Sequence, residues 1–258
     1  MPLKTPGDYV ESLRNLHICA YVAGERIDSV VDHPMVAPHI NTVAKTYELA
    51  HAPEHRDLLT ATSHLSGDAV HRYTHIFSSV DDLVKKIQML RLLGQMTGTC
   101  FQRCVGLDAL NAAYAASFEV DEARGTHYHE RFRRYLLDVQ TNDLMLAGAM
   151  TDPKGHRAKR PSEQEDPDQF VRVVERRPDG VVIRGAKLHN TGGINSHEIL
   201  VLPGTGLMPG EEDYAIACAV PADAEGVVFI FGRQSNDSRK LEGGCDRACA
   251  FFCVSVGG

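Results

Sequence analysis

Two cysteines stand four residues apart in the first half of the chain, at Cys100 and Cys104. On a helix this spacing places both sulfur atoms on one face, one turn apart. Thiolates so arranged could ligate a metal, whereas two helix-face cysteines in a hydrophobic core need do no chemistry. The spacing alone leaves both interpretations open.

Three more cysteines, Cys245, Cys249 and Cys253, repeat this spacing near the end of the sequence. On one helix face they would align three thiolates and form a new ligand set. The alternative is that the segment is a frameshift or truncation product without a site. The remaining cysteines, Cys19 and Cys218, stand among apolar residues, which favours buried and inert thiols.

A polar turn follows the apolar run at residues 144–149. It contains Thr151, an Asp-Pro pair, Gly155, His156 and Arg157. A hydroxyl, backbone N–H groups and positive charge meet there, and this combination suits a phosphate or the electron-rich edge of a ring. An ordinary polar turn has the same composition, so the pattern by itself does not separate the two.

A second loop, residues 188–197, follows a strand-like run that ends at Lys187. Asn190, Thr191 and two glycines make this loop a poor core segment and a poor helix. Its backbone is therefore exposed either to a ligand or to solvent. Lys187 itself is expected to be structural.

The elements that must position these residues change character near residue 145. Before it, apolar residues recur at helical spacing over residues 80–93, 105–118 and 130–139, which predicts three helices. In the first of them the apolar stripe comprises Val80, Leu83, Val84, Ile87, Leu90 and Leu93. The sequence thus predicts a helical N-terminal domain, residues 1–144.

After residue 145 the pattern is typical of strands separated by turns, with a tight-turn signature at residues 177–180 between two of them. The strand-like runs are residues 169–175, 181–187, 199–202, 214–220 and 227–231. Their regular spacing predicts an antiparallel sandwich or barrel. The fold class is therefore α+β, with a β domain at residues 145–244.

Composition excludes several classes of protein. The 258 residues are 43% hydrophobic and 24% charged, and no apolar run approaches the length of a membrane span. The net charge of −7 argues against nucleic acid as a partner. An odd number of cysteines behind a start without a basic-apolar leader predicts reduced thiols in a cytoplasmic protein.

Taken together, these motifs resemble the flavin-clamping loops of the acyl-CoA dehydrogenase-like fold and, within it, the 4-hydroxyphenylacetate 3-hydroxylase family. The likeness rests on residues 96–111, 150–157, 184–197 and 231–234. Flavin hydroxylases of this family need no cysteine pair. Cys100 and Cys104 therefore resemble its branch of 4-hydroxybutyryl-CoA dehydratases, which form crotonyl-CoA and isomerise vinylacetyl-CoA.

The resemblance implies an FAD enzyme that acts on an acyl-CoA and assembles as a homo-tetramer. The residues implied to contact FAD are Thr151, Gly155, His156, Arg157, Asn190 and Thr191. Cys100 and Cys104 are implied to supply two of the four ligands of a [4Fe–4S] cluster, whose other ligands come from farther along such chains. The histidine among those ligands is the family's base, so no catalytic residue is assigned here.

Members of the family are considerably longer than this sequence. We therefore expect the C-terminal helical domain to be absent and residues 245–258 to form an atypical cysteine-rich tail without strand alternation. Two other functions stay open at this point. One is a reduced-flavin-dependent aromatic 3-monooxygenase, and the other is an inactive fragment or a subunit that needs a complementing chain.

Overall fold

Helices and strands divide the chain into two units that interleave along the sequence. The computed structural model describes residues 3–232 and the backbone of residues 252–256. The first unit contains Met1–Leu13 and Pro38–Leu146, and the second contains Arg14–Ala37 and Ala147–Gly258. Residues 14–37, which the sequence pattern assigns to the helical domain, thus lie in the second unit.

The first unit is built mainly from helices. In chain order the helices are α1 (Pro6–Arg14), α2 (Ala37–His51), α3 (Arg56–Leu59), α4 (Val80–Thr97), α5 (Cys104–Arg124) and α6 (Tyr128–Thr141). The three helices predicted from periodicity are present as α4, α5 and α6. Ser79 and Asp82 form a capping box that begins α4, and Gly98 ends it with a left-handed φ of 64°. None of the described helices is long and apolar enough to cross a membrane.

Only the C-terminal end of the apolar stripe of α4, at Leu90 and Leu93, reaches the core of the first unit. Val80 and Ile87 are 76% and 63% exposed, whereas Met89 and Leu93 on the same helix are fully buried. The core cluster around those two residues comprises Leu49, Ala50, Leu59, Tyr73, Met89, Leu93, Phe101 and Leu107. Periodicity locates an apolar face, but the neighbouring elements decide which face is covered.

Two helical glycines of the first unit provide a matched pair for a test of packing. A Cβ at Gly106 in α5 would lie 2.3 Å from the Leu146 carbonyl oxygen, whereas a Cβ at Gly94 in α4 would meet nothing within 4 Å. We expect Gly106→Ala to destabilise the fold by about 1–3 kcal/mol through overpacking. Gly94→Ala should instead stabilise it by about 0.5–1 kcal/mol. Urea denaturation measures both, and equal effects would contradict the close approach at Gly106.

Strands supply the framework of the second unit and one small hairpin of the first. In chain order the strands are β1 (Ala20–Val22), β2 (Glu25–Ile27), β3 (Thr60–Thr62), β4 (Ala69–His71), β5 (Leu146–Ala149), β6 (Arg172–Arg177), β7 (Gly180–Lys187), β8 (Glu198–Val201), β9 (Cys218–Pro221), β10 (Val227–Phe231) and β11 (Phe252–Val256). Strands β3 and β4 pair with each other in the first unit. The fold is thus a mixture of helices and strands.

The strands of the second unit form two sheets. One has six strands in the order β2-β1-β10-β11-β7-β6, and the other has three in the order β5-β8-β9. The predicted hairpin around residues 177–180 is present, because β6 and β7 pair antiparallel from Arg177 and Gly180 onward. Across residues 3–232 and 252–256 no barrel closes.

Two features of the six-stranded sheet differ from the sequence-based expectation. Strand β1 pairs in parallel with β10, so the sheet is not purely antiparallel. Strand β11, within the segment 245–258 that was expected to lack a strand, pairs with both β10 and β7. The alternation of Phe252, Val254 and Val256 with small residues is the local signal for this strand.

Candidate functional site

The cysteine pair lies at the beginning of α5, within the first unit. Cys104 is the first residue of that helix and is half-buried, whereas Cys100 precedes the helix and is exposed. The two thiols are hydrogen-bonded to each other, and the Gln102 backbone N–H also donates to Cys100. The expected pairing of the sulfurs is thus present, although only one of the two cysteines is helical.

Hydrogen bonding shifts the pKa values of the two thiols in opposite directions. The bond from Cys104, assisted by the Gln102 N–H, lowers the pKa of Cys100 to about 6 against the opposing effect of burial. The same thiol–thiol bond, together with burial, raises the pKa of Cys104. This hydrogen bonding favours the thiolate form of Cys100, which is the form that binds metals.

A strained residue turns the chain between the two cysteines. Gln102 has φ of 66°, a left-handed conformation that is uncommon for a residue with a side chain. It is 5% exposed, and its amide lies 3.0 Å from His39 Nδ1. This conformation brings the Gln102 N–H to the Cys100 sulfur, so the strain belongs to the geometry of the thiol pair.

The next residue, Arg103, is buried without a carboxylate at hydrogen-bond distance. Its guanidinium carbon lies 4.4 Å from the centre of the Tyr47 ring and 4.6 Å from that of Tyr73. Nη1 donates to Thr46 Oγ1 at 3.0 Å, and Nη2 stands 3.9 Å from Asp143 Oδ1. Sequence patterns do not reveal this contact set, because its members lie far apart along the chain.

The described residues contain no group of three or more histidine, cysteine, aspartate or glutamate side chains arranged to hold a metal ion. A metal group bound to Cys100 and Cys104 would therefore need further ligands from outside the described residues. Cys245 and Cys249 lie outside the described residues, and so does the side chain of Cys253.

The polar turn after β5 lies in the second unit, and its own side chains organise it. Gln164 Oε1 accepts from the His156 N–H at 3.0 Å, and its amide donates to the His156 and Lys159 carbonyls at 3.2 and 3.0 Å. Gly155 turns the chain with φ of 42°. Gly155, His156 and Arg157 are all exposed, so they are available to a ligand.

A buried carboxylate, Glu211, accepts hydrogen bonds from residues that follow this turn. Glu211 is 3% exposed and accepts from Arg160 at 3.1 and 2.5 Å and from Ser162 Oγ at 2.9 Å. It also accepts from the Met208 N–H at 2.9 Å. The Arg160 guanidinium and these further bonds lower the pKa of Glu211 to about 2.

The lowered pKa predicts a specific acid dependence. Because the folded pKa of Glu211 lies below its ordinary value, its stabilising contribution is present above about pH 4.5 and is lost as the pH falls toward 2. We expect Glu211→Gln to lower the free energy of unfolding at pH 7 and to make its decrease below about pH 4.5 less steep. Denaturation between pH 7 and pH 3 measures the effect, with the exposed Glu225→Gln as control. If Glu211→Gln left the loss of stability at low pH unchanged, Glu211 would not be its source.

Lys187 at the end of β7 links the turn to the second loop. The residue is only 3% exposed. Its ammonium donates to Asp152 Oδ1 at 2.5 Å, to the Met150 carbonyl at 3.2 Å and to the Leu202 carbonyl at 2.8 Å. These bonds satisfy all three of its donors. The expected structural role of Lys187 is thus explained by a buried ion pair.

The second loop carries one unsatisfied acceptor. Asn190 is 1% exposed, and in the described part of the chain its Oδ1 has no hydrogen-bond partner. Its neighbour Thr191 is exposed. The Leu188 N–H donates to the Thr151 carbonyl at 2.8 Å, so the structure joins the two segments that carry the six expected flavin residues.

Comparisons with known proteins match this chain to a family model and to several of its members. The family model "4-hydroxyphenylacetate 3-hydroxylase N terminal" matches residues 5–251. The 4-hydroxybutyryl-CoA dehydratase/vinylacetyl-CoA-Δ-isomerase of Clostridium aminobutyricum is 52% identical over 95% of this chain and 50% of its own length. The 4-hydroxyphenylacetate 3-monooxygenase oxygenase component of Thermus thermophilus is 31% identical over 88% of this chain and 46% of its own length.

Solved structures agree with this assignment. An oxygen-tolerant archaeal 4-hydroxybutyryl-CoA dehydratase from N. maritimus superposes with a TM-score of 0.91 at 46% identity, covering 99% of this chain and 52% of that one. A 4-hydroxyphenylacetate 3-monooxygenase oxygenase component complexed with FAD has a TM-score of 0.78 at 28% identity, covering 98% and 52%. The chain spans about half the length of the relatives it matches. It belongs to the 4-hydroxyphenylacetate 3-hydroxylase family, whose N-terminal model matches nearly its whole length.

Proposed function

We propose that this chain forms the N-terminal part of a flavin-dependent 4-hydroxybutyryl-CoA dehydratase that also isomerises vinylacetyl-CoA. The observation that carries the proposal is the thiol pair of Cys100 and Cys104, at the start of a helix in a chain 52% identical to such a dehydratase. Aromatic hydroxylation needs no such pair. The proposal includes the acyl-CoA dehydrogenase-like fold, a homo-tetramer and a cytoplasmic location.

The second unit fits FAD. Asn190 offers a buried oxygen without a partner in the described part of the chain, and a bound flavin would supply a donor to it. Thr151 and Thr191 add hydroxyls, and exposed His156 and Arg157 add donors for a phosphate or a ring edge. Gly155 would let the backbone approach the cofactor. When bound, FAD supplies electron transfer to and from the substrate.

The thiol pair fits half of a [4Fe–4S] ligand set. Hydrogen bonding favours the thiolate form of Cys100, and backbone N–H groups of Gln102 and Val105 point to the two sulfurs. Such N–H donors stabilise the negative charge of thiolates that hold iron. When bound, the cluster supplies a Lewis-acid iron for the substrate hydroxyl. Cys100 and Cys104 would hold it from this side, and the remaining ligands would come from residues outside the described part.

The residues of this chain would then have separate tasks. The turn around Thr151 and the loop around Asn190 would bind and orient the flavin. Lys187 would keep these two segments at a fixed distance and close the space between them to water. Cys100 and Cys104 would each hold one iron of a cluster that would supply a Lewis acid for the hydroxyl group of 4-hydroxybutyryl-CoA. Separate flavin and iron sites suit the dehydration of 4-hydroxybutyryl-CoA, because the β-hydrogen that must be removed is not acidic by itself.

Cofactor content of anaerobically purified protein tests the proposal. We expect both FAD and iron in the wild type, loss of iron but not of FAD in Cys100→Ser and Cys104→Ser, and no change in the control Cys19→Ser. FAD without iron in the wild type, together with O₂-dependent turnover of a phenol, would instead indicate an aromatic hydroxylase. Loss of iron only on Cys245→Ser would move the ligand site to the cysteine-rich tail.

A further inference from the structure

A buried tyrosine hydroxyl beside the thiol pair has no assigned role. Tyr73 is 3% exposed, and within the described residues its hydroxyl has no hydrogen-bond partner. A buried hydroxyl without a partner has lost its hydrogen bonds to water and gained none in return. Such a group in a well-packed core therefore points to a partner that is present only when a ligand is bound.

Packing fixes the direction in which this hydroxyl points. The Arg103 guanidinium carbon lies 4.6 Å from the Tyr73 ring centre, and the His71 and Phe101 ring centres lie 5.3 and 6.1 Å away. A ring covered in this way cannot turn its hydroxyl toward another acceptor without disturbing the core. The unsatisfied donor is thus held in place in advance.

The thiol pair is the adjacent group that could provide an acceptor. Cys104 packs against the core cluster that contains Tyr73 and Phe101. Phe101 and Arg103, whose side chains lie against the Tyr73 ring, are the chain neighbours of Cys100 and Cys104. The Tyr73 ring therefore lies in the same part of the core as the segment that carries both cysteines.

We propose that the Tyr73 hydroxyl donates a hydrogen bond to a sulfur of the iron–sulfur group held by Cys100 and Cys104, and so is a positioning residue that sets the reduction potential of that group. The inference rests on the proposed function. A hydrogen bond to a cluster sulfur stabilises the additional negative charge of the reduced state. Its removal consequently makes the cluster harder to reduce.

The structure offers a matched pair of variants. Tyr73→Phe removes the unsatisfied hydroxyl and keeps the ring beneath Arg103. The Tyr47 ring centre lies 4.4 Å from the carbon of the same Arg103 guanidinium, but the Tyr47 hydroxyl already has a partner, since it donates to the Asp143 carbonyl at 3.2 Å. Tyr47→Phe therefore removes a hydroxyl whose hydrogen bond is already made. Both variants lose one hydroxyl and keep the cation–π contact. Only the first should affect the cluster.

The experiment is a redox titration of anaerobically purified protein, followed by visible absorption and electron paramagnetic resonance, with iron analysis of each sample. We expect wild type, Tyr73→Phe and Tyr47→Phe to hold equal iron. The midpoint potential should shift to a more negative value in Tyr73→Phe alone. An unchanged potential in Tyr73→Phe, or an equal shift in Tyr47→Phe, would overturn the inference while leaving the proposed function intact. Wild-type protein without iron would overturn both.

Discussion

Lys187→Met is expected to remove a large part of the stability of the second unit and to weaken flavin binding. The substitution leaves Asp152, whose side chain is 10% exposed, as a carboxylate without its cation. Breaking a buried ion pair by removing one partner costs about 3–5 kcal/mol. Against a typical total of about 5–15 kcal/mol, this is a large fraction. Urea denaturation and the FAD content of purified protein measure the two effects.

Two controls separate the buried ion pair from a general effect of removing a lysine. Lys154→Met changes an exposed lysine of the same turn and should leave stability nearly unchanged. Adding Asp152→Asn to Lys187→Met should recover part of the lost stability, because the uncompensated charge is then gone. If the double variant were no more stable than Lys187→Met, the charge of Asp152 would not be the cause.

Arg103→Met is expected to destabilise the first unit by about 3–5 kcal/mol, since it removes a buried cation beside a buried carboxylate and two aromatic rings. The side chains of Arg103 and Asp143 are 1% and 3% exposed. Arg131→Met removes a cation over the half-exposed Tyr128 ring at 4.8 Å and serves as control. An exposed contact of this kind contributes only about 0.5–1 kcal/mol. Thermal or urea unfolding compares the two variants.

The loss of stability in Arg103→Met should grow with pH. Burial raises the pKa of Asp143, and Arg103 partly opposes this rise. A carboxyl with a raised folded pKa holds its proton more tightly in the folded state, so its contribution to stability falls as the pH rises through that pKa. Without Arg103 the pKa of Asp143 rises further. Unfolding at pH 5 and pH 8 measures this difference, and a loss that did not depend on pH would exclude Asp143 as its source.

The parts of the site that depend on short-range patterns were accessible from the sequence. The spacing of Cys100 and Cys104 indicates a thiol pair, and the structure joins their sulfurs through a hydrogen bond. The tight turn at residues 177–180 and the helices α4, α5 and α6 are also present. The roles of the six predicted flavin residues stay predictions, although the structure places them on two segments linked by a hydrogen bond.

The parts that depend on distant partners were not accessible. In the sequence Arg103 resembles any other basic residue, and only the structure shows that its guanidinium packs against the Tyr47 and Tyr73 rings. Glu211 likewise gains its role from Arg160, fifty-one positions away. Strands β1 and β2 have three residues each, too few for periodicity to distinguish them from a loop.

The parallel pairing of β1 with β10 has a consequence for biosynthesis. Ala20 pairs with Phe229, so the ribosome makes more than two hundred residues between one half of this ladder and the other. At about 5–20 residues per second, β1 waits for at least ten seconds or so before its partner emerges. All residues of the first unit are made before residue 147, so its contacts can form during this interval. Residues 14–37 can form the hairpin of β1 and β2, but the other edge of β1 has no partner until β10 is made.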